Sequence, residues 1–477
     1  MATINRLLIT NRGEIAVRLI RASREMGIVS VAIYSEADRS ALHVKMADEA
    51  HCLGPEPLQG YLDAERLVQL AKQTHCDALH PGYGFLSENP LLAEACEAQG
   101  IHYVGPPSSV IRHLGDKLAA RRSAVEAGLP VTPGSNDNLA NIDEALACAQ
   151  QVGYPVILKA TGGGGGRGIR RCDDEAALRK NFKRVATEAD KAFGHSGLFL
   201  EKYIERARHI EVQILADHHG NTLHLLERDC SIQRRHQKLI EIAPSPQISP
   251  TQRKQLCEWA VKLTKAVGYR NAATVEFLVD DNDNISFMEV NTRLQVEHPI
   301  TETVTGIDIV QQQLRIAAGE ALTLKQADIT PRGYAMELRI NAEDPKHDFA
   351  PQFGPRLGHI RNYNPPGGPG VRIDSALYSG YELPPWYDSL CAKLIVSAND
   401  WPALLKRAER ALDELRISGV KTTIPYYQVM LNEPEFQAGH FDTGYVDAHP
   451  ELTEYEEEES SHKAAAIAAA LTSAGLV

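Results

Sequence analysis

The chain has 477 residues, 43% of them apolar and 23% charged, with a formal net charge of -12. That length can bury a sizeable core and suits two to four domains, and no run of about 18 uninterrupted apolar residues offers a membrane span. The acid excess leaves no broad basic face, which disfavours nucleic acid as a partner and directs any bound anion to a local site.

MATINRLLITNRGE carries no secretory apolar run, so the expectation is a soluble cytoplasmic protein. The opening reads as a strand over Arg6 to Thr10, an Asn-Arg-Gly loop, a helix over Glu14 to Met26 and a strand over Val29 to Tyr34. This order begins a parallel α/β sheet and predicts a first domain over 1–114. After GPPSS, helical and strand patterns alternate around a glycine-rich insert, predicting a second domain over 115–328. NYNPPGGPGVRIDS, YELPPWYDS and a helix from Trp401 to Leu415 then fit a mixed α/β domain over 329–450, followed by an acidic and Ala-rich tail over 451–477.

In the second region the strand-like YPVILKA, with Lys159 near its end, runs into TGGGGGRG. Five successive glycines, Gly162 to Gly166, let backbone amides approach an anion without Cβ hindrance. The run lacks the G-K-[ST] ending of a P-loop and the spacing of a dinucleotide fingerprint, so it reads as a different kind of phosphate cover.

ATVEFLVDDNDNISFMEVNTRLQVEHP contains two β-like runs around DDNDN. A turn centred on Asn282 and Asp283 pairs residues whose numbers sum to 565, which sets Glu276 against Glu289. Opposed carboxylates repel unless a cation lies between them, and hard oxygen donors favour Mg²⁺ or Mn²⁺. If the chain stays extended, two-residue alternation puts Glu289, Asn291, Arg293, Gln295 and Glu297 on one polar face. Opposed acids and a glycine loop together predict a metal and nucleotide site.

NRGEIAVR, HPGYGFLSEN, GDK, KATGGGGGRGIR, EKYIERARHIEVQ, ERDCSIQRRHQK, MEVNTRLQVEHPITE and ELRINAEDP occur in this order across nearly the whole chain to about residue 450. Through them the sequence resembles the biotin carboxylase family of ATP-grasp enzymes. The resemblance implies an ATP-grasp fold with a Rossmann-like N-terminal (preATP-grasp) domain, a glycine-rich mobile lid over about 131–203 and a C-terminal biotin carboxylase domain. It implies that Lys117, Lys159, Gly164, Gly165 and Gly166 meet the ATP phosphates. Glu201, Lys202 and Ile204 would form the adenine hinge, with His209, Gln233 and His236 also near the nucleotide. Glu276, Glu289 and Asn291 match the family's ligands for Mg²⁺ or Mn²⁺, two ions being expected.

By the same resemblance, bicarbonate sits against Lys238, Arg293, Gln295 and the backbone of Val296, while Glu297 serves as general base. Carboxyphosphate is the implied intermediate, and Arg339 with Tyr83 would form the biotin pocket. This bicarbonate set separates the chain from an ATP-grasp amide or thioester ligase. Eight cysteines with no CxxC argue against zinc clusters and disulfides, and Cys230 reads as a structural thiol.

The chain has neither a biotin-attachment MKM motif nor a recognisable carboxyltransferase region. Its expected partners are therefore a biotin carboxyl carrier protein or domain, a second copy in a homodimer and a separate carboxyltransferase subunit. Ile242 in LIEIAPSP stands where free acetyl-CoA carboxylase subunits usually carry a second glutamate. That departure favours the biotin carboxylase component of a two-subunit pyruvate carboxylase over that of acetyl-CoA carboxylase. AAAIAAALTSAGLV is expected to form a docking helix or a frayed tail.

Overall fold

Strands β1 (Arg6–Ile9), β2 (Val29–Tyr34), β3 (Glu49–Cys52), β4 (Ala78–His80) and β5 (His102–Tyr103) form an all-parallel sheet in the order β3-β2-β1-β4-β5. RLLI is apolar beyond its first residue because both faces are covered: Leu7 and Ile9 pack on one side with helix α1 (Gly13–Glu25), and Leu8 on the other with Leu67 and Leu92. Helix α1 buries Ile15, Ala16, Leu19 and Ile20, an apolar stripe at helical spacing. The computed structural model describes residues 3–162, 168–193, 197–352, 358–456 and 471–473. Gly164, Gly165, Gly166 and most of the Ala-rich tail lie outside the described residues.

The segment around the glycine run forms a small antiparallel sheet. β6 (Val156–Ala160) lies between β7 (Ile169–Cys172) and β8 (Leu198–Lys202). Val156, Leu158 and Ala160 alternate into a core with Leu146, Ala149 and Leu178, leaving Lys159 on the other face. A Cβ on Gly134 would fall 2.3 Å from the Leu200 carbonyl, so the chain passes β8 too closely for any side chain.

A second sheet of eight strands carries the polar centre. β9 (Arg208–Ala216), β10 (Thr222–Arg234), β11 (Gln237–Ala243), β12 (Asn271–Val279), β13 (Ile285–Asn291) and β14 (Tyr334–Asn341) join the strands Leu390–Ala398 and Val371–Ser375. All neighbours are antiparallel. Because β11 pairs with β14, the sheet runs without a break across the boundary expected near residue 328. The parallel sheet, the antiparallel sheet and their covering helices make the α/β, ATP-grasp architecture. No described helix is long and apolar enough to cross a membrane.

Candidate active site

β12 and β13 set Glu276 directly against Glu289, Val275 against Val290 and Thr274 against Asn291. Nearer the turn the register differs: Phe277 pairs with Phe287 and Val279 with Ile285, so the hairpin is centred on Asn282 alone. Asp280 shapes that turn by accepting the Asn282 and Asn284 N–H groups at 2.9 and 2.8 Å. Met288 is the extra residue of a β-bulge, and the one-residue shift it introduces brings the two carboxylates face to face.

Glu276 is almost wholly buried and is surrounded by donors. Asn291 Nδ2 reaches it at 2.7 Å, His209 Nε2 at 2.8 Å, Gln295 Nε2 at 3.2 Å and Lys238 Nζ at 3.3 Å. Burial alone would raise this carboxyl, but Lys238 and His209 hold it well below the usual range. Lys117 Nζ donates to Glu289 Oε2 at 2.8 Å and is the main cause of its lowered pKa. Both carboxylates are therefore ionised at neutral pH. Paired carboxylate oxygens with the Asn291 carbonyl beside them suit a hard divalent cation, so the donor set fits Mg²⁺ or Mn²⁺.

Lys238 is the hub of the site. Its Nζ lies 2.6 Å from Glu297 Oε1 and 2.7 Å from Glu211 Oε2, while Arg228 Nε holds the other Glu211 oxygen at 2.5 Å. Glu297 has no solvent exposure, and an Arg339 terminal nitrogen donates to its Oε2 at 3.0 Å. Burial opposes ionisation, yet Lys238, Arg339 and Arg228 together keep the Glu297 pKa well below the ordinary value. It is ionised at neutral pH. Arg339 Nε in turn donates to Glu241 Oε1 at 2.6 Å.

The run from Glu289 to Glu297 does not stay extended. β13 stops at Asn291, and the chain turns at Val296 and Glu297 into the helix His298–Thr305. The polar side chains still converge: one Arg293 terminal nitrogen donates to Gln295 Oε1 at 2.7 Å and the other to Asn291 Oδ1 at 3.2 Å. Arg293 Nε lies 3.2 Å from Glu88.

The residues expected around the nucleotide are spread over the small three-stranded sheet, the loop after it and the β10–β11 turn. Lys159 Nζ donates to Glu201 Oε2 at 2.6 Å, and Arg121 takes the other Glu201 oxygen at 2.8 Å. Lys202 Nζ is committed to the carbonyls of Gly153 and Tyr154, whereas Ile204 is half-buried in the loop after β8. Gln233 Nε2 approaches His209 Nδ1 at 3.4 Å. His236 is exposed at the β10–β11 turn with φ +65°.

Tyr83 is fixed by two motifs acting together. Asn11 Nδ2 donates to the carbonyls of Pro81 and Tyr83, each at 2.7 Å, and the Tyr83 hydroxyl donates to Glu14. Gly82, at φ +64°, permits that approach, since a Cβ there would stand 3.1 Å from Asn11 Nδ2.

Sequence reasoning did not single out Glu211, Arg228, Glu241, Glu88, Glu14 or Lys393. For Glu211 a signal exists: in HIEVQ, alternation puts His209, Glu211 and Gln213 on one strand face. Cys230 Sγ is 4.0 Å from Glu297, and burial pushes its thiol well above the ordinary value, so it is a poor nucleophile. Ile242 is fully buried on the opposite strand face from Glu241, in an apolar core with Met336 and Leu404.

Three family models match the chain in succession. They describe the N-terminal domain of biotin carboxylase over residues 3–111, the ATP-binding domain of the carbamoyl-phosphate synthase L chain over 116–325 and the biotin carboxylase C-terminal domain over 337–448. The 2-oxoglutarate carboxylase small subunit of Hydrogenobacter thermophilus is 51% identical, covering 95% of each chain. A pyruvate carboxylase subunit of Methanothermobacter thermautotrophicus is 50% identical, covering 93% of this chain and 89% of the relative. The crystal structure of the Hydrogenobacter biotin carboxylase domain dimer with MgADP, ADP and bicarbonate has a TM-score of 0.93 at 50% identity, covering 96% of this chain and 100% of that one. The chain belongs to the biotin carboxylase family.

Proposed function

We propose that the chain uses ATP to activate bicarbonate and carboxylates biotin on a separate carrier, as one subunit of a biotin-dependent carboxylase. The observation that carries this reading is the Glu297 carboxylate, fully buried and ionised between Lys238 and Arg339. Its support outside this chain is the Hydrogenobacter domain, which holds MgADP and bicarbonate.

Glu276, Glu289 and Asn291 would hold Mg²⁺ or Mn²⁺. When bound, the ion neutralises phosphate charge. Lys117 and Lys159 clamp phosphate oxygens, the glycine run covers them, and the backbone from Glu201 to Ile204 takes the adenine beside His209, Gln233 and His236. Lys238, Arg293, Gln295 and the Val296 backbone orient bicarbonate, and Glu297 takes its proton as a bicarbonate oxygen attacks the γ-phosphorus and ADP leaves. Carboxyphosphate then breaks to CO₂ and phosphate. Phosphate takes the biotin N1′ proton, the nitrogen attacks CO₂, and Arg339 stabilises the negative charge developing on the ureido oxygen, with Tyr83 walling the pocket.

The acceptor reading is a 2-oxo acid, with pyruvate first and acetyl-CoA as the alternative; a Methanothermobacter pyruvate carboxylase chain, a Hydrogenobacter 2-oxoglutarate carboxylase chain and a Bacillus subtilis biotin carboxylase are all about 50% identical. Ile242 faces the core, so it lends this choice no support from the active site. The acceptor is selected by the carboxyltransferase partner. Co-purification of that partner with this chain, followed by fixation of labelled bicarbonate into pyruvate, 2-oxoglutarate or acetyl-CoA, tests the reading. Labelled oxaloacetate supports it, and label found solely in malonyl-CoA overturns it. A homodimer accords with the dimeric Hydrogenobacter domain and is checked by sedimentation.

A further inference from the structure

Lys393 lies on the strand Leu390–Ala398, opposite Arg339 of β14, and has no solvent exposure. A buried ammonium stays charged only when well paired. Its Nζ donates to the Val296 carbonyl at 2.8 Å and stands 3.1 Å from Glu14 Oε1 at the start of α1. The same Glu14 oxygen accepts the Tyr83 hydroxyl, and the ammonium sits 5.9 Å from the centre of the Tyr83 ring. Asp374, opposite Lys393 on the next strand, adds a carboxylate that helps keep it ionised.

One cation thus touches three separate parts of the fold. The Val296 carbonyl belongs to the peptide that enters Glu297, at the point where the chain turns into the helix His298–Thr305. Holding that carbonyl fixes the peptide plane and so the direction in which the Glu297 side chain leaves the backbone. Holding Glu14 fixes the acceptor of the Tyr83 hydroxyl, and with it one wall of the biotin pocket.

We propose that Lys393 is a positioning residue that couples the two halves of the active site, aiming the base Glu297 through the Val296 carbonyl and the biotin wall Tyr83 through Glu14. The inference rests on the roles proposed above for Glu297 and Tyr83. A positional error of about 1 Å at reacting groups can lower rates by as much as about a hundredfold, so the coupling is measurable.

The test compares Lys393→Met, which keeps length without charge, and Glu14→Gln with the wild-type chain. For K393M, bicarbonate-dependent ATP hydrolysis without biotin falls about tenfold or more and KM for free biotin rises about fivefold, while KM for ATP stays within about twofold. In E14Q, which weakens the Tyr83 arm directly and reaches the Val296 arm only through the charge on Lys393, KM for biotin rises by a similar factor but biotin-free hydrolysis falls less than in K393M. Wild-type values for K393M in both assays overturn the proposal. So does a KM for ATP that worsens in step with everything else, the mark of a merely structural lysine. Should K393M fail to fold, an unchanged KM for biotin in E14Q overturns the coupling. Wild-type protein lacking bicarbonate-dependent hydrolysis would overturn the carboxylase reading itself, whereas active wild type with an unaffected K393M overturns this inference alone.

Discussion

Glu241 faces Glu337 directly across β11 and β14, and both side chains are fully buried. Arg339 Nε holds Glu241 Oε1 at 2.6 Å, but among the described residues Glu241 Oε2 and both Glu337 oxygens have no hydrogen-bond partner. Two carboxyls so placed cannot both ionise cheaply. Burial pushes Glu241 up to about 7 and Glu337 well above its ordinary value.

A raised carboxyl pKa means that the folded chain keeps a proton which the unfolded chain has lost. From roughly pH 4.5 upward the folded state binds more protons, so stability falls as pH rises, through about 7 for Glu241 and beyond it for Glu337. Glu337→Gln, an isostere of the protonated acid, should lessen the fall by on the order of 1–3 kcal/mol. Urea unfolding of both proteins at about pH 4 and about pH 8 measures the difference. A slope unchanged in E337Q would show that the pair holds no shared proton.

Glu302 ties the domains together. It receives Arg18 of α1 at 2.8 Å on one oxygen and Arg372 of the strand Val371–Ser375 at 2.8 Å on the other. Removing it takes one of two carboxylate partners from each of two partly or wholly buried guanidiniums, so Glu302→Ala should destabilise by about 1.5–3 kcal/mol. Chemical denaturation reads this directly, and a loss below about 1 kcal/mol would show that Asp308 and Asp374 suffice for the two arginines.

The opposed pair makes unequal demands on its two members. Glu289 contacts Lys117, whereas Glu276 also organises His209, Asn291, Gln295 and Lys238. Glu289→Gln should raise the Mg²⁺ concentration for half-maximal activity about tenfold and leave saturated turnover the less affected. Glu276→Gln should lose both. Titration of activity with Mg²⁺ separates the two patterns, and identical Mg²⁺ requirements in all three proteins would remove the metal from these residues.

Lys159 shares Glu201 with Arg121, so its ammonium is held in place on the small three-stranded sheet. Lys159→Met should raise KM for ATP about tenfold or more, the loss expected for one charge-assisted contact, while Tm changes little because Arg121 still satisfies Glu201. Steady-state kinetics and a melting curve check both halves. A large Tm loss with unchanged KM would make Lys159 structural.

Much of the site was legible in the sequence because it is local. Glu276, Glu289 and Asn291 lie within one hairpin, where two-residue alternation and turn arithmetic carry the geometry, whereas Glu297 lies past the end of the strand, where alternation no longer applies. The arithmetic reached the correct Glu276–Glu289 pair although the tip of the hairpin has a different register, since the bulge at Met288 supplies the missing residue. Hydrophobic alternation could not reveal that bulge. The bend at Val296 was equally hidden: it is held by Lys393, which lies 97 positions away in sequence. Glu241 and Glu337 face one another only because β14 crosses to the second region's sheet, and no spacing within either segment encodes that pairing.

In the proposed mechanism, buried Glu297 deprotonates bicarbonate for attack on ATP. This step is tested most directly by measuring ATP hydrolysis by wild-type chain and Glu297→Gln with and without bicarbonate, in Mg²⁺, with free biotin added in turn. A base at Glu297 predicts wild-type hydrolysis that requires bicarbonate and is accelerated by biotin. It also predicts an E297Q variant that still binds ATP but loses the bicarbonate-dependent rate by about a hundredfold or more. Equal hydrolysis with and without bicarbonate, or an E297Q rate close to wild type, would contradict it.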